Sequence, residues 1–342
     1  MSLPMPAPTD DAVAVHIRAL QPSDLDAVVA IDAAIEGRSR RDYVERRLRS
    51  AQGQPLLHAQ FAAVQGDRLV GHLLGRLVVG EFGRRAPALR IELVGLRREF
   101  GRRGVGRELF DALLRWADRH GATEIRTLSA WTRSGMLGWL ASLGFELAPT
   151  LVVESRVDGN RLYAERDGPL SIDAGDGPGH EIDFGRDEAN DQERHTPHGA
   201  DVRAMTAADL DAIVRIDRAN IGRDRREYLS ARLGEAVRDR SIRVSLAAHC
   251  DGTVVGYLMA RADLGDFGRA EPVAVIDTLG VDAAYAQRGV GRALMAQLFG
   301  NLGALRVEVV ETAVPLADTA LLGFLLACGF GNSPRLAFRR AV

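Results

Sequence analysis

The sequence predicts an α/β protein of two tandem domains, each an α+β mixed sheet with helices packed on it. Three observations carry this. The 342-residue length is that of two domains, each able to bury its own core. The second half restates the first at one constant offset: Arg103-Gly104-Val105-Gly106-Arg107 returns as Arg288-Gly289-Val290-Gly291-Arg292, and Gly144-Phe145 as Gly329-Phe330. Between those landmarks, runs of β-branched and apolar residues alternate with apolar residues at helical spacing.

Each copy starts with a short β run, Ala14 to Arg18 and Val202 to Arg203. A helix follows, opened by Ser23 with Asp26 and by Thr206 with Asp209, pairs that resemble capping boxes. Arginine-rich segments, Arg38 to Arg47 and Arg223 to Arg232, read as a second helix. Two β runs come next in each copy, Leu57 to Val64 with Arg68 to Val79, and Val244 to Cys250 with Thr253 to Leu264. Gln-Gly-Asp and Asp-Gly turns make them hairpins. Gly80 to Arg84 and Gly265 to Arg269 read as matched turns whose phenylalanines pack inward, with lining a site as the second reading. A further β run, Ala88 to Leu96 or Val273 to Val281, leads into the glycine loop and a helix carrying Leu109, Leu113 and Trp116, or Leu294, Leu298 and Phe299. Another strand and helix end at Gly144-Phe145 and Gly329-Phe330, with glycine as terminator. Final β runs are expected to close each copy.

The domains expected are residues 13–157 and 201–342. A tail over 1–12 reads as disordered, and an acidic, Gly- and Pro-containing stretch over 158–200 reads as a linker. The linker holds 11 acidic and four basic side chains, and its Glu181 to Phe184 patch is a candidate docking segment. The rest carries a mild positive charge, no footprint for nucleic acid. All 44 basic residues are arginine, so lysine Schiff-base chemistry and a P-loop lysine are excluded. Cys250 and Cys328 lack disulfide or zinc spacing, and the histidines lack metal spacing, so no metal is expected. No signal peptide or bilayer-length apolar run is seen, which gives the expectation of a cytoplasmic protein with no membrane partner.

Strand, arginine-rich loop, Gly-x-Gly and helix together read as a cradle for a diphosphate, the alternative being an ordinary helix-initiating turn. Glycines let successive N–H groups face one anion, and the helix start adds partial positive charge. A dinucleotide fingerprint is excluded, because its third glycine is Leu109 or Leu294 and the loop lies mid-domain. On these residues, in both halves, the chain resembles the GNAT superfamily of acyl-CoA-dependent N-acyltransferases. Its signature, (Gln/Arg)-x-x-Gly-x-(Gly/Ala) after the fourth strand with Gly-Phe ending the last helix, covers nearly all the chain outside the tail and linker.

The resemblance implies, in each copy, a sheet splayed between its fourth and fifth strands with acetyl-CoA (or CoA) in the opening. It implies pyrophosphate loops at Arg102, Arg103, Gly104, Val105, Gly106 and Arg107, and at Gln287, Arg288, Gly289, Val290, Gly291 and Arg292. It also implies that a backbone N–H of Val94-Gly95-Leu96, or of Leu279-Gly280-Val281, polarises the thioester carbonyl. Two departures stand out. The motif's first side chain is Gly101 or Ala286, and the tyrosine that can protonate the leaving thiolate is Leu140 or Leu325.

Glu92 and Asp277 sit at equivalent positions inside otherwise apolar strands. Each is a candidate catalytic base for an amine acceptor, the alternative being a carboxylate that is exposed or paired with a core arginine. The function expected is an N-acyltransferase moving an acetyl or other short acyl group to a small-molecule or peptide amine by direct attack, with the second copy favoured. The competing class is an acyl-CoA-binding sensor or assembly module with one or both copies degenerate.

Overall fold

A computed structural model describes residues 14–78, 87–162, 200–238, 244–263, 267–269 and 271–342. The tail over 1–12, the linker from 163 to 199 with its Glu181 to Phe184 patch, and the Gly80 to Arg84 turn lie outside the described residues. Copy one supplies β1 (Val15–Ala19), α1 (Leu25–Glu36), α2 (Arg41–Gly53), β2 (His58–Gln65), β3 (Arg68–Val78), β4 (Ala88–Leu96), α3 (Val105–Arg119), β5 (Glu124–Ala130), α4 (Ser134–Ser142), β6 (Glu146–Leu147) and β7 (Thr150–Arg156). Copy two repeats the order: β8 (Asp201–Ala204), α5 (Leu210–Ile221), α6 (Arg226–Arg238), β9 (Leu246–Cys250), β10 (Thr253–Asp263), β11 (Val273–Val281), α7 (Val290–Ala304), β12 (Val309–Pro315), α8 (Thr319–Ala327), β13 (Gly331–Asn332) and β14 (Arg335–Ala341).

The strands form two seven-stranded mixed sheets, in the orders β1-β2-β3-β4-β5-β14-β6 and β13-β7-β12-β11-β10-β9-β8. Here the structure corrects an expectation: the final β runs do not close their own copies but are exchanged. β14 pairs antiparallel with β5, Arg335 opposite Ala130 through Ala341 opposite Glu124. β7 pairs likewise with β12, Val309 opposite Arg156 through Pro315 opposite Thr150. The cause is local. Only Ala148-Pro149 separates β6 from β7, and only Ser333-Pro334 separates β13 from β14. A two-residue hairpin favours positive φ at its turn, which proline cannot adopt, and proline holds the preceding residue extended. Each chain end therefore runs straight on into the neighbouring sheet.

Each sheet is covered on both faces. In copy one, α3 buries Leu109, Phe110 and Leu113 against one face, while Val28, Ile31, Tyr43 and Leu48 of α1 and α2 cover the other. Copy two matches it with Leu294, Leu298 and Phe299 of α7, and with Ile213, Ile216 and Leu229 of α5 and α6. The Thr206 cap forms as expected, with the Thr206 N–H donating to Asp209 Oδ2 at 2.8 Å. In copy one the cap is not Ser23 with Asp26 but Gln21 with Asp24, the Gln21 N–H donating to Asp24 Oδ2 at 2.8 Å. Gln21 and Asp24 are the true repeat equivalents of Thr206 and Asp209.

Candidate active site

The two glycine loops have the same backbone. Gly104 and Gly289 are the N-caps of α3 and α7, at φ of 85° and 84°. Two residues earlier, Arg102 and Gln287 also take left-handed φ, 61° and 60°. A non-glycine residue held there costs about 1–2 kcal/mol, so its recurrence at equivalent positions marks a loop shaped for something other than stability. The N–H groups that open α3 and α7 gather at the cap, where an anion is favoured, although the Arg107 N–H also reaches Gly104 O at 2.9 Å. Arg102, Arg103 and Arg107, with Arg288 and Arg292, border the two loops. This donor set fits the pyrophosphate of a CoA ester.

Beside each loop the sheet opens. β4 and β5 pair in parallel only over Ala88–Arg90 with Glu124–Arg126. β11 and β12 do so only over Val273–Val275 with Val309–Glu311. Past those residues the strands splay. The Arg97 N–H donates to Val70 O at 2.9 Å and the Asp282 N–H to Val255 O at 2.8 Å, both toward the hairpin side. Strand alternation then turns the N–H groups of Val94 and Leu96, and of Leu279 and Val281, into the opening. Gly95 and Gly280 are tightly packed: a Cβ would lie 2.7 Å from the His72 ring or from the Tyr257 ring respectively.

Glu92 and Asp277 are the extra residues of two matching β-bulges, where the ladder steps from Leu93 to Ile91 and from Thr278 to Ile276. Their surroundings differ. Glu92 is buried, with Oε1 accepting from Arg47 Nη1 at 3.2 Å and from Arg90 Nη2 at 3.3 Å. Burial pushes its carboxyl up, but the nearby arginines outweigh that and hold it at about 2. This is the core-arginine alternative raised for it. Asp277 instead lines a cavity of about 110 Å³ between the two copies, with Arg261 Nε 3.5 Å away.

The repeat hid a second set of residues. Asp32 and Arg40, and their twins Asp217 and Arg225, form buried ion pairs beneath the splay, Arg40 Nη2 lying 2.6 Å from Asp32 Oδ1. In copy two, Tyr257 donates to Asp217 at 2.5 Å and Arg225 to Thr278 Oγ1 at 3.0 Å. Copy one has His72 and Leu93 at those two positions. An acidic residue repeated inside an apolar helix, Ile31-Asp32 and Ile216-Asp217, was the available signal.

The acceptor sides of the two openings also differ. In copy one, Phe267 of copy two sits in the copy-one core at 6 % exposure. Phe267 and Gly268 line the small space bounded by Leu93 and Val94 of β4, Leu128 and Ser129 of β5, and Arg40. Arg40 donates to Arg269 O at 2.7 Å, Arg335 donates to Phe267 O at 2.7 Å, and Arg269 Nη2 lies 2.6 Å from Glu154. Phe267 thus packs inward as expected, but into the other copy. Arg133 and Glu36 form an ion pair that links α4 to α1 across the same opening. Their twins in copy two are Asp318, which caps α8, and Ile221, so that latch is missing there.

Leu140 and Leu325, at the tyrosine positions, are fully buried. Burial raises the Cys328 thiol to about 11 despite Arg292 and Arg161, so it stays protonated near neutrality. Among the described residues no cluster of three or more His, Cys, Asp or Glu is placed to hold a metal ion, and no helix is long and apolar enough to cross a membrane.

The sequence pattern of the acetyltransferase (GNAT) family matches twice, over residues 26–145 and 211–330. The chain belongs to that family, as a tandem two-domain form, and acetyl-CoA is the family's acyl donor. Similar solved structures include a GCN5-related N-acetyltransferase from Sphaerobacter thermophilus, with 18 % identity, TM-score 0.59, and 96 % of this chain and 95 % of that one covered. A tandem GNAT protein from the clavulanic acid biosynthesis pathway has 18 % identity and TM-score 0.63, over 96 % and 98 % of the two chains. A GCN5-related N-acetyltransferase from Kribbella flavida has 16 % identity and TM-score 0.52, over 96 % and 71 %. No curated protein is a significant match to the sequence.

Proposed function

We propose that this protein transfers an acetyl group from acetyl-CoA to an amine by direct attack, that copy two carries out the transfer, and that copy one holds acyl-CoA without turning it over. The observation that carries the assignment is the asymmetry of the acceptor sides. Phe267 and Gly268 fill that side of copy one, and the Arg133–Glu36 pair spans it, whereas Asp277 of copy two lines a cavity.

In this reading the Gln287 to Arg292 loop grips the pyrophosphate, and the splay between β11 and β12 receives the thioester. The N–H of Leu279 or Val281 bears on the carbonyl oxygen as negative charge develops there. Asp277 takes the proton that the attacking nitrogen sheds as the N–C bond forms, directly or through one water. The C–S bond breaks, and CoA leaves as a thiolate that is protonated from solvent. No covalent enzyme intermediate is needed, and the buried Cys328 thiol supplies none.

The test is thiol release from acetyl-CoA against a panel of primary amines, with Asp277→Asn alongside. The proposal expects acceptor-dependent release that falls about 10²-fold or more in the variant. Acetyl-CoA binding without acceptor-dependent release for any amine would leave a binding module instead.

A further inference from the structure

We infer that the cavity between the two copies is the acceptor pocket, polarised to take a small primary amine that also carries a carboxylate. This rests on the reading that copy two transfers the acyl group.

The pocket has two polar groups that the protein itself leaves unsatisfied. Glu311 is 1 % exposed. Its Oε1 accepts from Arg335 Nη1 at 2.6 Å, but Oε2 has no hydrogen-bond partner, and Arg269 Nη2 is 3.9 Å from it. Thr127 is 3 % exposed and its hydroxyl also has no partner, whereas the twin hydroxyl of Thr312 donates to Ile276 O at 3.0 Å. Buried polar atoms are seldom left unpaired, and a carboxylate oxygen can only accept. The missing partner of Glu311 is therefore a donor, and an ammonium group supplies one. The parallel register sets Glu311 beside Val275, two residues from Asp277, so an amine held by Glu311 lies next to the proposed base.

The rest of the lining is rich in positive charge. Arg126 and Glu311 occupy equivalent places in the two copies, yet both line this one cavity. A pseudo-symmetric cavity would carry the same charge at both ends. Here copy two presents Asp277 and Glu311 with Arg261 and Arg335, while copy one presents Arg90 and Arg126 with no lining carboxylate. Glu92 and Glu124 accompany those two arginines, and Arg261 and Arg335 accompany the two carboxylates. The lining itself holds four arginines against two carboxylates, an excess of positive charge that suits a ligand carboxylate, while Glu311 Oε2 still needs a donor; together these favour a zwitterion over a bare cation or anion. A volume of about 110 Å³ limits the ligand to the order of a small amino acid in size. Exchanged strands supply part of the wall, since Thr150 of β7 and Phe338 of β14 both face it. The pocket thus requires both copies.

The test is calorimetric titration of the full chain, saturated with CoA so that no turnover occurs. The probes are the small protein amino acids, β-alanine and 4-aminobutyrate, with ethylamine and propionate as single-ended controls. The expected result is that at least one zwitterion binds about tenfold or more tightly than either control. Thr127→Val, which removes only an unpartnered hydroxyl, weakens it about threefold to tenfold. Glu311→Gln weakens it at least about tenfold. Failure of every zwitterion to bind overturns the inference, as does equal binding of the controls or indifference to both substitutions. Zwitterion binding without thiol release from acetyl-CoA supports the pocket and removes the transfer reading. Thiol release with some other amine, and no zwitterion binding, does the reverse.

Discussion

Replacing His72 by leucine isolates one strongly pH-linked group in the fold. His72 is fully buried beneath the splay of copy one, and neither ring nitrogen has a hydrogen-bond partner. Burial first, and the Arg40 charge second, lower its pKa from the ordinary 6.5 to about 3. The unfolded chain therefore binds a proton below pH 6.5 that the folded protein refuses until about pH 3. Stability from this group is complete above pH 6.5 and is lost as the pH falls through that window. At 1.36 kcal/mol per unit, the two units from pH 6.5 to 4.5 cost on the order of 3 kcal/mol. Leucine is of similar volume and cannot titrate. His72→Leu should match or exceed the parent at pH 7, because two unpaired polar atoms leave the core. The gap should widen by about 3 kcal/mol at pH 4.5. Glu92 does not confuse this interval, because its carboxyl is held at about 2, below its ordinary value, and its contribution fades only under more acid conditions. Urea unfolding at the two pH values measures the difference. Equal losses in parent and variant would refute the assignment of His72 as a buried neutral ring.

Three further outcomes are expected. Glu92→Gln should destabilise the protein by about 1–3 kcal/mol, since it removes the buried carboxylate that Arg47 and Arg90 both approach, and should leave the turnover of copy two within a few-fold; thermal unfolding and thiol release read the two effects. Phe267→Ala should cost about 3–5 kcal/mol through the cavity left in copy one, and calorimetric unfolding checks it. Deleting residues 334–342 should strip amide-exchange protection from β5 in copy one while β12 in copy two keeps its own; protection lost from β12 instead would contradict the strand exchange.

The parts legible in the sequence were those that repeat. The glycine loops, the bulge carboxylates Glu92 and Asp277, and the splay-lining strands all recur in one register. The parts that were missed depend on differences between the copies or on contacts between them. Phe267 reads as an inward-packing turn residue, and nothing local says that its core belongs to the other copy. Arg126 and Glu311 are repeat equivalents of opposite charge, and only the packing of the two sheets puts them on one cavity. The strand exchange did leave a trace in Pro149 and Pro334, which recur in register and forbid the hairpins that would close each copy on itself.

The division of labour is tested most directly by placing a carboxylate in one cradle at a time. Gly104→Glu and Gly289→Glu each set a negative charge where the pyrophosphate phosphates would lie, and at Gly104 no neighbouring atom lies within 4 Å of the new Cβ. Gly104→Asn and Gly289→Asn control for the left-handed backbone, which asparagine tolerates. Acetyl-CoA stoichiometry and acceptor-dependent thiol release are then measured on each. The account predicts two sites in the parent and one in either glutamate variant, with thiol release kept in Gly104→Glu and abolished in Gly289→Glu. Release that survives Gly289→Glu and disappears in Gly104→Glu would contradict it.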